Sequence, residues 1–146
     1  MFSRRTALAI FASSIALPAF AAAPQIFQNN GVAINGYDPV AYFSHSQPVQ
    51  GSFEHRYNWS GATWHFASAA NRDLFAASPS EFAPQFGGYC AYAASKNALA
   101  PTIPEAWTVY QGKLYLNANL RARDLWSRDK DANIALAIEF WPEILG

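Results

Sequence analysis

Few residues in this chain are able to carry out soft-metal or thiol chemistry. It contains one cysteine, Cys90, and three histidines, at positions 45, 55 and 65. Copper and zinc prefer thiolate or imidazole ligands in sites of this kind, so Cys90 with His65 is the candidate metal site. Asp38 and Tyr37 are candidate oxygen ligands beside it. No local ligand spacing typical of a structural zinc site surrounds these residues.

Cys90 also admits two other interpretations, a buried packing residue or a reactive thiol. Nucleophilic catalysis would require a histidine beside the thiol and a third group to orient it. No catalytic cysteine signature surrounds Cys90. The residue pattern therefore favours a non-enzymatic role. For His65, the alternative to a metal ligand is a surface histidine that faces Arg56 across a hairpin.

Aromatic side chains suggest a second kind of site. Tyr37, Trp64 and Tyr89, with Asp38 beside them, are candidates for binding a small apolar ligand or cofactor, and Tyr92 can contribute to the same pocket. Binding pockets typically combine an apolar lining with a few polar groups. A protein partner on an exposed aromatic surface is the alternative occupant.

Residues 1–21 have the pattern of an export signal. A basic start with Arg4 and Arg5 precedes an apolar run and the sequence Ala19-Phe20-Ala21. Cleavage is expected after Ala21, with the next two alanines as alternatives. The Ser-Arg-Arg start is similar to a twin-arginine signal, but Ala7 replaces the usual Phe, so general secretion stays open. We expect a periplasmic or secreted protein that has no membrane span after cleavage.

The expected mature chain forms one domain with a small negative charge. Loss of Arg4 and Arg5 leaves eight basic and ten acidic residues, a net charge of −2. With no basic patch, nucleic acid is excluded as a partner. We assign residues 22–30 to a loose lead-in and 31–146 to a single domain. One cysteine allows no intramolecular disulfide.

The first strong structural pattern is an aromatic hairpin. Apolar and polar residues alternate over 53–59 and again over 62–67, around a two-residue turn, Ser60-Gly61. This register predicts three cross-strand pairs, and it keeps the aromatic side chains on one face. The pairs are Tyr57 with Trp64, His55 with Phe66, and Arg56 with His65.

A second hairpin over residues 107–117 repeats this pattern. When Gly61 is aligned with Gly112, Ser68 meets Asn119, and both suit helix caps. We interpret the two segments as copies of one ββα unit that share a core. The predicted fold class is α+β, with a small antiparallel sheet made from the two hairpins. A C-terminal helix follows, capped by Asp131, with a buried side formed by Ile134, Ile138, Trp141 and Leu145.

Three segments resemble the YHS-domain family. They are Ala-Ile-Asn-Gly-Tyr-Asp-Pro-Val-Ala-Tyr-Phe at 33–43, Ala-Thr-Trp-His-Phe-Ala-Ser at 62–68, and Ala-Pro-Gln-Phe-Gly-Gly-Tyr-Cys-Ala at 83–91. With residues 112–117, the likeness extends over about 31–145 and is to the exported single-domain branch. The resemblance implies a small α+β fold and a link to metals.

The resemblance also implies where a metal site should not lie. YHS domains of heavy-metal proteins carry cysteines at three positions, which are Ala41, Ala67 and Asn71 in this chain. That site therefore does not carry over, and Cys90 stands at a different position. We expect a metal-handling protein that binds copper or zinc through Cys90. The alternative is a non-enzymatic module for a small ligand or a protein partner.

Overall fold

The computed structural model describes residues 22–146, and the expected export signal at 1–21 lies outside the described residues. The described chain alternates short strands and helices. In order they are β1 (Gln28–Asn29), β2 (Val32–Ala33), α1 (Ala41–Ser44), β3 (Ser52–Trp59), β4 (Ala62–Phe66), α2 (Ala69–Ala77), α3 (Pro79–Phe82), α4 (Ala91–Ser95), β5 (Trp107–Tyr110), β6 (Lys113–Leu116), α5 (Leu120–Ser127) and α6 (Lys130–Phe140). Within residues 22–146, no helix has the length and apolar character needed to cross a membrane.

The fold is α+β, as predicted, with two hairpins that are each followed by a helix. The hairpins do not share one sheet. The first belongs to a four-stranded mixed sheet of order β1-β2-β4-β3, in which β2 runs parallel to β4, whereas β5 and β6 form a separate antiparallel pair. The Thr63 N–H donates to the Gly31 carbonyl at 2.8 Å, which attaches the N-terminal strands to the first hairpin.

The predicted register of the first hairpin is confirmed next to its turn and fails further out. Tyr57 pairs with Trp64, and Arg56 pairs with His65. The predicted pairing of His55 with Phe66 is wrong, because a bulge over 53–55 places Ser52 opposite Phe66 instead. Such a bulge bends a strand and re-aims its side chains. Phe53, predicted to share a face with the other aromatic side chains, contacts His65 instead and is 62% exposed.

Both predicted ββα segments form a hairpin followed by a capped helix. Both hairpins turn over two residues, and both following helices are capped by a side-chain oxygen that accepts an N–H three residues on. The cap distances are 3.1 Å at Ser68 and 2.7 Å at Asn119. The aligned residues Phe75 and Trp126 are fully buried. Leu74, next to Phe75 in α2, is 52% exposed.

Aromatic side chains build the core of each unit. In the first unit, the Phe75 ring lies 5.0 Å from Trp64 and 5.1 Å from Phe66, measured between centroids. In the second, Tyr115 and Trp126 lie 4.9 Å apart. Trp141 packs against both clusters and joins them. The prediction of a shared core is therefore confirmed.

Two details of the last helix differ from the prediction. Asp129, rather than Asp131, caps α6 by accepting the Ala132 N–H at 3.2 Å. The carboxylate of Asp131 accepts the Tyr110 hydroxyl instead. The fully buried residue of α6 is Ala137, because α4 presents small residues that allow close packing at that point, whereas Ile138 is 60% exposed.

The expectation of a loose lead-in at 22–30 is wrong. Ile26 and Phe27 are buried in the core, and the Phe27 N–H donates to the Gly87 carbonyl at 2.8 Å. The Ala23 N–H donates to the Leu145 carbonyl at 2.7 Å, which ties the two ends of the described chain together. The N-terminal segment passes directly over Gly87. Only glycine leaves room for it, because a Cβ at position 87 would collide with the Gln25 carbonyl oxygen.

Candidate functional site

Cys90 lies at the start of α4, and its thiol has structural contacts. The side chain is buried, and Sγ accepts the Ala93 N–H at 3.4 Å, which caps the helix. Sγ also donates to Asn117 Oδ1 at 3.4 Å. The structure therefore favours the packing interpretation of Cys90 over an exposed, reactive thiol, since reactive cysteines sit in accessible, electropositive surroundings.

Sequence reasoning missed Asn117, which holds this region together. Its fully buried carboxamide accepts the Tyr92 N–H at 3.0 Å as well as the Cys90 thiol. Its backbone N–H donates to the Ala106 carbonyl and its carbonyl accepts the Ile103 N–H. Asn117 thus ties α4 to the end of β6 and to the loop before β5. Its position directly after a predicted strand was the one available signal, and asparagines there usually form turns.

His65 lies on the opposite face of β4 from the core and opposite Arg56, as predicted. Phe53 meets the imidazole edge-to-face, with ring centroids 5.9 Å apart. Burial, and then the charge of Arg56, lower the pKa of His65 below its usual value. None of these neighbours contacts Cys90. Across residues 22–146, no three His, Cys, Asp or Glu side chains converge as a metal-binding group.

Asp38 is a buried structural carboxylate rather than an open ligand site. Oδ1 accepts the N–H groups of Val40 at 2.8 Å and Ala41 at 3.3 Å. Oδ2 accepts the Ala67 N–H and the Asn71 side-chain amide, both at 2.8 Å. Three of these donors belong to Ala41, Ala67 and Asn71. The N–H groups of two separate segments, 40–41 and 67–71, therefore meet at one carboxylate.

The other predicted binding residues do not form one pocket. Trp64 is fully buried, and its indole N–H donates to the Trp59 carbonyl at 3.1 Å. Tyr37 is half-buried and bridges to Gln50. Tyr89 donates its hydroxyl to the Pro24 carbonyl at 2.8 Å. It also lines an apolar hollow of about 340 Å³, together with Phe27, Leu99 and Pro101.

A larger groove runs along the β5–β6 hairpin, with α1 and α3 at one end and α6 at the other. It consists of two adjoining cavities of about 530 and 210 Å³, which share Gln85, Gln111 and Lys113. Phe43 and Phe82 line one end and Ile134 and Ile138 line the other, so apolar ends flank a polar middle. Another concavity, of about 400 Å³, lies beside the Ser60-Gly61 turn, but small and polar residues make up most of its lining.

Charged groups surround the groove without filling it. Lys113 is exposed at its middle, Glu81 lies at the phenylalanine end, and Asp131 at the isoleucine end. Tyr110 donates its hydroxyl to Asp131 at 2.7 Å, and that hydrogen bond is the main cause of a raised pKa for Tyr110. Burial, and then Asp131, raise the pKa of Tyr115. Both phenols thus stay neutral donors near neutral pH.

Comparison with known proteins adds no assignment to this geometry. No family model, no curated protein and no solved structure matches the chain. The site itself belongs to a general class, a surface groove between packed secondary-structure elements. The function is therefore inferred from the residues of the groove and their surroundings.

Proposed function

We propose that this protein is an exported, non-catalytic binding module of the YHS type that holds a small amphipathic ligand in the groove. The observation that carries the proposal is the lining. Phenylalanines and isoleucines stand at its two ends, and Gln85, Gln111 and Lys113 lie between them. Such a lining suits a molecule with apolar groups and a hydrogen-bonding or anionic centre.

The size and position of the groove support this function. Small-molecule sites usually measure about 300–1,000 Å³ and often lie between structural units. The larger cavity alone has about 530 Å³. Its walls come from α1 and α3 on one side and from the β5–β6 turn on the other, so a ligand would contact both halves of the fold.

The arrangement around Asp38 supports the resemblance to YHS domains. Ala41 is far in sequence from Ala67 and Asn71, yet all three donate to the same carboxylate. A shared ancestral metal site would require those positions to be neighbours. In this chain they supply N–H groups instead of thiols, and N–H groups do not ligate metals. Ligand binding is then expected at another surface, which is the groove.

A dye with an aromatic body and a sulfonate, anilinonaphthalene sulfonate, is a suitable probe. We expect saturable binding, followed by dye fluorescence, and a loss of affinity of at least about tenfold in Ile138→Asp, because burial of an isoleucine contributes about 1.5–3 kcal/mol. The matched control is Leu120→Asp, since Leu120 is 53% exposed and lies outside the groove lining. Equal losses in both variants, or no saturable binding, would contradict the proposal.

Copper or zinc handling through Cys90 is a second candidate. It is supported by the link of YHS domains to metals and by the polar surroundings of the lone thiol, which contacts Ala93 and Asn117. Binding would require Sγ to leave both hydrogen bonds. If this function operates, the exported protein binds copper(I) or zinc stoichiometrically, and Cys90→Ser abolishes binding. Unchanged metal content in Cys90→Ser would exclude it.

A further inference from the structure

The imidazole of His65 is in an unusual position for a polar ring. Nε2 is buried and has no hydrogen-bond partner among residues 22–146. Nearly all buried polar atoms in folded proteins have a partner, so such an atom requires an explanation. A Cβ at position 36 would lie 3.4 Å from Nδ1, so Gly36 leaves just enough room for the ring. The surroundings thus accommodate a neutral imidazole.

Phe53 is held against this ring by Arg56. The Arg56 guanidinium lies 4.1 Å from the centroid of Phe53, a distance typical of a cation–π contact. Arg56 also donates to the Phe53 carbonyl at 3.3 Å. Phe53 belongs to the bulged part of β3 and is largely exposed. We call Phe53, Arg56 and His65 the β3 clamp.

The charged groups near the clamp do not favour a protonated imidazole. On β3, Arg56 faces His65 directly, and the bulge also carries Glu54 and His55. From the turn at 34–36, the neighbour is uncharged Gly36. Asp38, just beyond that turn, already accepts four N–H groups. Arg56 accordingly adds to burial in lowering the pKa of His65.

We propose that the β3 clamp is a pH-sensitive latch, in which protonation of His65 releases Phe53 and frees the bulged segment 52–55. An imidazolium would place a buried N–H without an acceptor next to a guanidinium, and both effects disfavour the closed form. Release lets water reach Nε2. It also exposes the full ring of Phe53.

The direction of the pH dependence follows from linkage. Because the pKa of His65 is lower in the closed form than in the open form, the closed form is favoured fully above the usual histidine pKa. This preference disappears as pH falls through the pKa of the closed form. At pH values between these two pKa values, each opening takes up one proton. The open population therefore rises about tenfold for each unit by which the pH falls.

Hydrogen exchange on the exported protein tests this latch. Protection factors, corrected for intrinsic exchange, should fall with decreasing pH at the amides of 53–56, while those of β5 and β6 stay constant. His65→Gln should remove the dependence, and His45→Gln, a change at an exposed loop residue, should retain it. Protection that is independent of pH in the native protein, or a dependence that persists in His65→Gln, would overturn the proposal.

A second variant keeps the test independent of the folding of His65→Gln. Phe53→Ala removes an exposed side chain and opens Nε2 to water. The NMR titration midpoint of His65 should then rise towards the usual histidine pKa. An unchanged midpoint would show that Phe53 does not control the burial of His65 and would also overturn the latch.

Discussion

Replacement of Asp38 by alanine is expected to lower the free energy of unfolding by about 3–5 kcal/mol. The carboxylate accepts four N–H groups, from the start of α1, from Ala67 and from Asn71, and its side chain is fully buried. A buried donor that loses its acceptor costs about 1–3 kcal/mol, and these four donors would lose theirs together. The loss is a large fraction of the stability of an ordinary domain.

Urea unfolding of three single variants and one double variant measures this effect and identifies its cause. Asp38→Asn keeps the shape but turns an NH₂ group towards two donors, so it should also destabilise strongly. Asn71→Ala removes one donor and should cost much less. In a double-mutant cycle, Asn71→Ala should cost little once Asp38 is alanine. A loss below about 1 kcal/mol for Asp38→Ala would contradict the structural role.

Replacement of Gly87 by alanine is expected to destabilise the fold by at least about 3 kcal/mol. Gly87 has φ +64°, a left-handed conformation that costs a non-glycine residue about 1–2 kcal/mol. The added Cβ would also collide with the Gln25 carbonyl oxygen and displace the N-terminal segment. That segment carries the buried residues Ile26 and Phe27, so the damage reaches the core.

Gly61→Ala separates the two causes. Gly61 has φ +78°, but no atom lies within 4 Å of a Cβ built on it. Gly61→Ala should therefore lower the free energy of unfolding by the conformational contribution alone, about 1–2 kcal/mol. The midpoint of thermal unfolding of Gly87→Ala should be well below that of Gly61→Ala, and the midpoint of Gly61→Ala should in turn be below that of the native protein. Equal midpoints for the two variants would contradict the account of the crossing at Gly87.

Local patterns in the sequence predicted the scaffold well. The two-residue turns, the Ser68 and Asn119 caps and the repeat depend on residues close together in the chain, so their chemistry is visible in sequence. The bulge at 53–55 was not predictable, because alternation over 53–59 is compatible with a regular strand. The burial of Ile26 and Phe27 also escaped prediction, since it depends on the distant residue Gly87.

The candidate site was less accessible to sequence reasoning. Residue type drew attention to Cys90, His65 and Trp64, yet two are buried structural residues and His65 faces away from the core. The groove takes its lining from α1, α3, the turn at 85–88, the β5–β6 hairpin and α6, and no single motif signals such a surface. Ile138 was predicted to be buried, and that error concealed one end of the groove.

The central claim is that ligand binds in the groove and not at Cys90. It is tested most directly by NMR, with anilinonaphthalene sulfonate titrated into the ¹⁵N-labelled protein. The account predicts saturable backbone shifts that cluster at Gln85, Gln111, Lys113 and Ile138. Shifts centred instead on Cys90 and Asn117, or on the hollow at Phe27 and Leu99, would contradict it, as would the absence of saturable shifts.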